Sequence, residues 1–217
     1  MKKLFSALFA LFTLSFTACF DITEEITVAK NGSGQYVNII DASKLAEQMT
    51  LFAAFDTTGE MIPRMKYSLD STFSTTWDGY RTVAGINNVK VDTSTPYVYK
   101  LTMDFKDMTA LNAALNKGKT TEAQDAYIWE KGKLTRKDLA LNLGELGAEM
   151  GDESQKEMLK GFLKDMSYKI IFHLPESIKK SSNEAATVSA DKKTVTMDMN
   201  MLDIMDKKVK LGNEITY

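Results

Sequence analysis

Apolar and polar residues alternate along several stretches of this chain, and such alternation is typical of half-buried β-strands. In residues 20–30 the apolar face carries Ile22, Ile26 and Val28, and a glycine-rich turn leads into a second apolar stretch at residues 36–40. This pattern predicts an N-terminal β-hairpin. The same alternation predicts strands in residues 89–91, 97–105, 168–174, 195–201 and 209–217, and a hairpin within residues 126–139.

Helices are predicted where apolar residues recur at intervals of three and four. The most prominent case is a stripe of large side chains that would pack a helix against a sheet. Its members are Leu69, Phe73, Trp77, Tyr80 and Ala84. A loop containing Gly59 and Pro63 precedes this stripe. Three more helical stretches are expected: residues 41–55, residues 108–116 behind a capping Asp107, and residues 141–164, which glycines divide into two shorter helices.

The order of these elements predicts the fold class. Strands outnumber helices, their connections are short, and no regular alternation of strand and helix runs along the chain. These features predict an α+β fold in which helices cover one face of an antiparallel sheet. No internal repeat or low-complexity linker divides the chain, so we expect one α+β domain over residues 19–217.

The N-terminus follows a different pattern. A basic start at residues 2–3, an uncharged apolar run at residues 4–16 and the small pair Thr17 and Ala18 precede Cys19, the only cysteine. This is the order of parts in a secretory signal peptide. The apolar run is too short to cross a bilayer, which takes about 20 residues.

The position of Cys19 resembles the lipobox of bacterial lipoproteins, with Phe16 where that family usually carries leucine. The resemblance implies that residues 1–18 are removed as a lipoprotein signal peptide and that Cys19, acylated with palmitate or a similar chain, becomes the new N-terminus. An ordinary secreted protein with an incidental Cys19 is the alternative. Acylation also accounts for a single thiol in an exported chain.

Composition narrows the class of protein further. The chain has 44% hydrophobic and 10% aromatic residues, which is enough for a packed core. Loss of Lys2 and Lys3 with the signal peptide leaves 25 of the 27 basic residues against 29 acidic ones. This acidic balance argues against nucleic acid as a partner. With Cys19 acylated, no disulfide can form, so packing alone must hold the domain.

The C-terminal part carries a second resemblance. A strand pattern at residues 168–174 ends in Pro175, a loop crosses, and a polar turn leads to a strand that begins Thr194–Val195. This order, with the hairpin that follows Cys19, resembles LppM-like lipoprotein domains. The resemblance implies an envelope-anchored α+β domain with an antiparallel sheet, and lipid or glycolipid binding for at least one member. Residues 77–115 look like uncharacterised bacterial envelope lipoproteins.

Candidate catalytic and metal-binding residues are few. His173 is the only histidine, and without a second histidine or a free thiol it cannot form a His-based zinc site or a Cys-His nucleophile. A cleft that joins His173 to a serine and a carboxylate would be the sign of an enzyme. We expect no enzyme activity, no cofactor and no metal site. The acidic groups are interpreted as solvated charge, with calcium binding or a carboxylate pair as the alternatives: Asp21, Glu24 and Glu25; Asp152 and Glu153; Asp198, Asp203 and Asp206.

Methionines recur on a predicted strand face near the C-terminus. Methionine is unbranched and adaptable, and it is found on apolar binding surfaces. Together with large side chains elsewhere, these methionines predict an apolar cavity between sheet and helices. The candidate lining residues are Trp77, Phe105, Phe172, Met197, Met199 and Met201. A core filled with methionine is the alternative, and a thioether copper site is a further one.

The sequence therefore predicts a non-enzymatic binding or interaction module, anchored through Cys19 in the bacterial cell envelope at the periplasmic face or the cell surface. The expected partners are the membrane and a lipid or an envelope protein, and nucleic acid is not among them. Carriage or sensing of an apolar or lipid ligand between sheet and helices is the alternative function.

Overall fold

The computed structural model describes residues 21–44, 59–117, 123–139, 157, 160, 161 and 163–217. The described strands are β1 (Asp21–Val28), β2 (Gly34–Asp41), β3 (Ile86–Asp92), β4 (Val98–Phe105), β5 (Tyr127–Glu130), β6 (Lys133–Arg136), β7 (Ser167–His173), β8 (Lys180–Ser181), β9 (Ala186–Val188), β10 (Thr194–Asn200) and β11 (Asn213–Thr216). The helices with described bounds are α1 (Met61–Asp78), α2 (Met108–Asn116) and α3 (Met201–Met205), and a 3-10 turn, Gly79–Thr82, continues α1.

These strands form two sheets. The larger sheet has seven strands in the order β3-β4-β2-β1-β7-β10-β9, and the smaller has four in the order β5-β6-β11-β8. Neighbouring strands are antiparallel except β1 and β7, which run parallel. The α+β class with a largely antiparallel sheet is therefore confirmed. The parallel pair joins two strands far apart in the chain, as a parallel pair must, because such strands need a long crossover.

Strand periodicity places alternate residues of the large sheet on an inward face. Across the middle of the sheet, one cross-strand row is buried throughout. It consists of Met103, Tyr36, Ile26, Phe172 and Val195. The opposite, outward face carries half-buried or exposed polar residues such as Thr23, Glu25 and Thr27, which is the clean alternation typical of antiparallel sheets with one solvated face.

Helices and the small sheet together cover the inward face of the large sheet. Helix α1 packs against β3 and β4, where Phe73 lies 4.6 Å from Tyr99 between ring centroids. The small sheet covers β1, β7 and β10, with the Tyr127 ring edge-on to Phe172 at 6.5 Å. The prediction of helices on one face is confirmed, and the second sheet is an addition that the sequence pattern did not reveal.

The start and end of α1 differ from the prediction. Pro63, expected in a loop, lies in the first turn of α1, where the missing amide hydrogen removes no intrahelical bond. The helix ends at Asp78, so Tyr80 lies in the 3-10 turn and Ala84 lies beyond it. Four members of the stripe nevertheless pack inward, with Trp77 and Tyr80 buried and Leu69 and Phe73 partly buried against the core. Ala84 is exposed, so its predicted place on the buried stripe is wrong.

Most other predicted elements fall close to their observed bounds, but the last strand begins at Asn213 and not at residue 209. Helix α2 covers residues 108–116 as expected, and the Asp107 carboxylate accepts a hydrogen bond from the Ala110 amide at 2.9 Å. Met201, expected on a strand face, is instead the first residue of α3, because the Asn200 side chain caps the Leu202 amide at 2.9 Å. The predicted helices within residues 45–55 and 141–156 lie outside the described residues. None of the described helices is both long and apolar enough to cross a membrane.

Candidate functional site

Glu24 is the most unusual residue of the interior. It lies on the inward face of β1, in the parity that also carries Ile22 and Ile26, and only 5% of it is exposed. Its carboxylate accepts hydrogen bonds from the Tyr127 hydroxyl at 2.5 Å and the Tyr168 hydroxyl at 2.6 Å. We call Glu24, Tyr127, Arg136 and Tyr168 the inter-sheet polar cluster, because β1 and β7 belong to the large sheet and β5 and β6 to the small one.

Arg136 supplies the positive charge of this cluster. Its Nη2 lies 3.5 Å from the Glu24 carboxylate and 3.3 Å from the Tyr168 hydroxyl. Its Nε donates to the Tyr127 hydroxyl at 3.2 Å, and its Nη1 donates to the Leu211 carbonyl at 3.1 Å. The guanidinium therefore contacts both sheets, and its planar fork of donors suits such a shared position.

Local pairing explains how these side chains meet. Tyr127 and Arg136 are cross-strand partners in the β5–β6 hairpin, and residues opposite each other on one face of a hairpin lie close together. Tyr168 pairs with Ile22, which is the inward-facing residue of β1 that precedes Glu24. Buried Asn112 of α2 fixes β5 from the other side, since its side chain exchanges two hydrogen bonds with the Tyr127 backbone at 2.7 Å and 3.0 Å.

The electrostatics of the interior favour neutral tyrosines. Burial raises the pKa of Tyr127 and of Tyr168, and the Glu24 carboxylate raises both further. Burial, with Glu24 again as the next cause, also raises the pKa of Tyr36 well above its ordinary value. All three hydroxyls stay protonated at neutral pH, and Tyr127 and Tyr168 donate to Glu24.

The buried polar atoms of this cluster are used in hydrogen bonds within the protein. In the described part of the chain, every buried side-chain nitrogen or oxygen has a hydrogen-bond partner. No group of three or more His, Cys, Asp or Glu residues that could hold a metal ion occurs among the described residues. The inter-sheet polar cluster is thus internally satisfied, and its geometry suits the joining of two sheets.

A second polar group lies on the outward face of the large sheet. The His173 imidazole is 2.7 Å from the Glu25 carboxylate through Nε2 and 3.1 Å from the Thr194 hydroxyl through Nδ1. The order hydroxyl, imidazole, carboxylate is that of a nucleophilic triad. The hydroxyl is a threonine, and the His173 and Glu25 side chains are about one-third exposed on a sheet face.

Backbone donors for an oxyanion are not available beside Thr194. The Thr194 amide donates to the Ser189 hydroxyl at 2.9 Å. Val195 has ladder partners on both sides, Phe172 and Val188, so its amide belongs to the sheet. Thr194, His173 and Glu25 form a polar link across β10, β7 and β1. Acyl transfer also needs free donors aimed at the developing oxyanion, so these three side chains supply only part of a triad site.

The six predicted cavity-lining residues are all buried, with 5% exposure or less. They fall into two groups. Trp77 and Phe105 lie on the α1, β3 and β4 side, whereas Phe172 and the three methionines lie on β7, β10 and α3. Strands β2 and β1 separate β4 from β7, a gap of about 14 Å at the usual strand spacing. The apolar cavity stays a prediction, and Cys19 lies outside the described residues.

The interpretation of Glu24 as solvated charge is wrong, because Glu24 is buried at 5% exposure. Sequence reasoning missed the inter-sheet polar cluster, although one signal was present. Glu24 occupies an inward position of β1 between two apolar residues, Ile22 and Ile26. Arg136 lies on the same face of β6 as buried Leu134. Charged residues at inward positions call for buried partners. Nothing in the sequence indicated that these two residues, on different sheets, were each other's partner.

Comparisons with known proteins give no match by sequence and a weak structural similarity. No family model matches it, and no curated protein matches it by sequence. Among solved structures, the NMR structure of the folded domain of the Mycobacterium tuberculosis LppM protein is similar, over 92% of this chain and 90% of that one. The TM-score is 0.40 and the sequence identity is 10%. A likeness at this level supports no conclusion about function.

Proposed function

We propose that this chain is a lipid-anchored lipoprotein of the bacterial cell envelope and that its α+β domain is a non-enzymatic binding or interaction module. The observation that carries the proposal is the N-terminal pattern: a basic start, a short apolar run and two small residues directly before the only cysteine, Cys19. A signal of this kind directs export. A cysteine at the cleavage position supplies the thiol that becomes acylated.

The start of the folded domain supports this proposal. Strand β1 begins at Asp21, two residues after Cys19, so the anchor would continue almost directly into the sheet. The chain also has no second cysteine, and the described interior is held by apolar packing and satisfied polar groups. Such a domain needs no disulfide in an oxidising compartment.

A non-enzymatic role agrees with the polar groups of the described residues. The inter-sheet polar cluster is buried and internally satisfied, and the His173 group faces outward on a sheet whose nearby amides are committed. The membrane is the first partner, through the acyl chain, and a lipid or an envelope protein is the second. The location is the periplasmic face or the cell surface.

The anchor is tested by replacing its thiol. We expect full-length protein expressed in bacteria to incorporate a clickable palmitate analogue and to remain with the membranes after a high-salt wash. Cys19→Ser should lose the acyl label completely, because no other thiol is present. Acyl label on the Cys19→Ser protein would contradict the proposal.

A matched control distinguishes the thiol from the signal around it. Thr17→Ser keeps a small residue before Cys19, so it should be exported, labelled and retained like the wild type. If wild type and Thr17→Ser are exported but neither carries the label, Cys19 is incidental and the protein is an ordinary secreted one.

A further inference from the structure

The position of β1 within the sheet fixes where an N-terminal anchor would attach. Only Phe20 lies between Cys19 and the first residue of β1. Two Cα steps span at most about 7 Å. An acyl chain on Cys19 would therefore hold the start of β1 close to the headgroups of a bilayer.

Strand β1 is the fourth of seven strands in the large sheet. With strands about 4.8 Å apart, roughly 14 Å of sheet lies on either side of it. A tether at an edge strand would let the sheet lie on its side. A short tether at the middle strand favours contact through the whole end of the sheet.

Strand register shows which elements share that end. Asp21 is paired with Asp41 and with Ser167, Asp41 is paired with Val98, and Ser167 is paired with Asn200. The starts of β1, β4 and β7 and the ends of β2 and β10 therefore form one end of the sheet, which we call the anchor end. The opposite end, where β1 stops and β10 begins, is the far end.

Several charges near the anchor end are paired within the protein. The Lys44 ammonium lies 3.2 Å from the Asp21 carboxylate, which also accepts from the Ser167 hydroxyl at 2.9 Å. Beyond β10, Lys208 lies 3.3 Å from Asp203 and 2.9 Å from Asp206. The acyl chain would supply most of the binding energy for the bilayer.

From these observations we infer that the domain stands on the anchor end, with the strands of the large sheet directed away from the bilayer and phospholipid headgroups as the partner of the anchor end. The inference rests on the lipid anchor of the proposed function. The seven residue-to-residue steps of β1 at about 3.3 Å each carry the far end about 23 Å from the anchor end. That distance is several Debye lengths of about 8 Å, so far-end lysines such as Lys106 and Lys193 do not sense the membrane surface.

The orientation is tested with a fluorescent donor on single new cysteines, since acylation consumes Cys19. Full-length acylated protein is reconstituted in phosphatidylcholine vesicles that carry a headgroup acceptor dye. Two variants label the anchor end, Thr93→Cys and Lys164→Cys, and two label the far end, Lys106→Cys and Lys193→Cys; all four positions are exposed. We expect both anchor-end labels to show high energy transfer and both far-end labels to lie farther from the headgroups by about 23 Å for an upright sheet.

Vesicle flotation separates the two possible failures. Protein that does not float contradicts the anchor, and with it the orientation. Protein that floats but gives equal or reversed transfer from the two ends keeps the anchor and overturns the orientation. Each end is represented on two different elements, so the loss of one variant through misfolding leaves a complete comparison.

Discussion

Glu24 and Arg136 are buried charges whose environment determines their effect on stability. Their side chains are 6% and 7% exposed, and the removal of such groups from water is unfavourable unless they are paired and hydrogen-bonded. Here the two tyrosine hydroxyls and the Leu211 carbonyl complete the pairing. The loss of either charge would leave the other in the interior without its partner.

Glu24→Ala should therefore lower the free energy of unfolding by about 3–5 kcal/mol, because Arg136 keeps its buried charge and two hydroxyls lose their acceptor. Glu25→Ala is the matched control on the next residue of the strand. Its side chain lies on the outward face near His173, and we expect a loss below about 1 kcal/mol. Denaturant unfolding of both variants measures the difference, and equal losses would contradict the assigned role of Glu24.

A double replacement separates pairing from burial. Glu24→Leu combined with Arg136→Met removes both charges and keeps apolar volume, which in other proteins is often neutral or stabilising. We expect the double variant to be more stable than either single one. The two tyrosine hydroxyls limit the recovery, since each still has to find a new acceptor.

At the level of elements, the β1–β2 hairpin depends on the absence of a side chain at Gly34. A Cβ at this position would lie 1.9 Å from the Thr27 carbonyl oxygen and 2.6 Å from the Phe105 ring. Gly34 also pairs with Val28 of β1 and with Phe105 of β4. The two neighbouring strands thus approach a backbone that has no room for a methyl group.

Gly34→Ala should destabilise the domain by about 3 kcal/mol, since the backbone must move to relieve the contact. Gly161→Ala is the control, because no atom lies within 4 Å of a Cβ added there. That helical position should gain up to about 1 kcal/mol from the better helix former. Thermal unfolding monitored by circular dichroism compares the two, and a Gly34→Ala variant as stable as wild type would contradict the close packing.

Elements defined by local pattern were the easiest to predict. Helix α2 has its cap at Asp107 and its apolar positions within nine residues, and β4 alternates over eight residues without interruption. The signals for α1 and α3 were weaker. A proline in the first turn of α1 looks like a loop residue, and Met201 continues the alternation of β10 although Asn200 caps a helix there.

Across the whole molecule, buried tyrosines couple stability to alkaline pH. Burial raises the pKa of Tyr36, Tyr127 and Tyr168 above the value of 10.0 expected in the unfolded chain, and Glu24 is the next cause for each. A raised folded-state pKa contributes stability that is fully present below pH 10 and is lost as pH rises further. The folded state keeps these protons while the unfolded state releases them.

We therefore expect the free energy of unfolding to fall above pH 10 by about 1.4 kcal/mol per pH unit for each of these three tyrosines. Tyr80, Tyr99 and Tyr217 add to the slope, because burial raises the pKa of each of them too. Guanidinium unfolding at a series of pH values measures this slope. Tyr36→Phe should reduce the slope by the contribution of one tyrosine, about 1.4 kcal/mol per pH unit, because a phenyl ring has no proton to release. A slope that is unchanged in Tyr36→Phe, or no fall above pH 10, would contradict the assignment.

The sequence alone determined the features that depend on near neighbours. Alternation along β1, β4, β7 and β10 follows from which side chains prefer burial, and the N-terminal pattern before Cys19 is readable without any fold. It also determined the α+β class, since strand and helix order limit how layers can pack.

Which strands are neighbours follows from the tertiary structure and not from local sequence patterns. The parallel pairing of β1 with β7 and the meeting of Glu24 with Arg136, 112 residues apart, depend on contacts distant in sequence. The same holds for the middle position of β1 in the sheet, from which the proposed orientation on a bilayer follows. Each residue's polarity shows whether it prefers burial, but its partner depends on how all the layers pack at once.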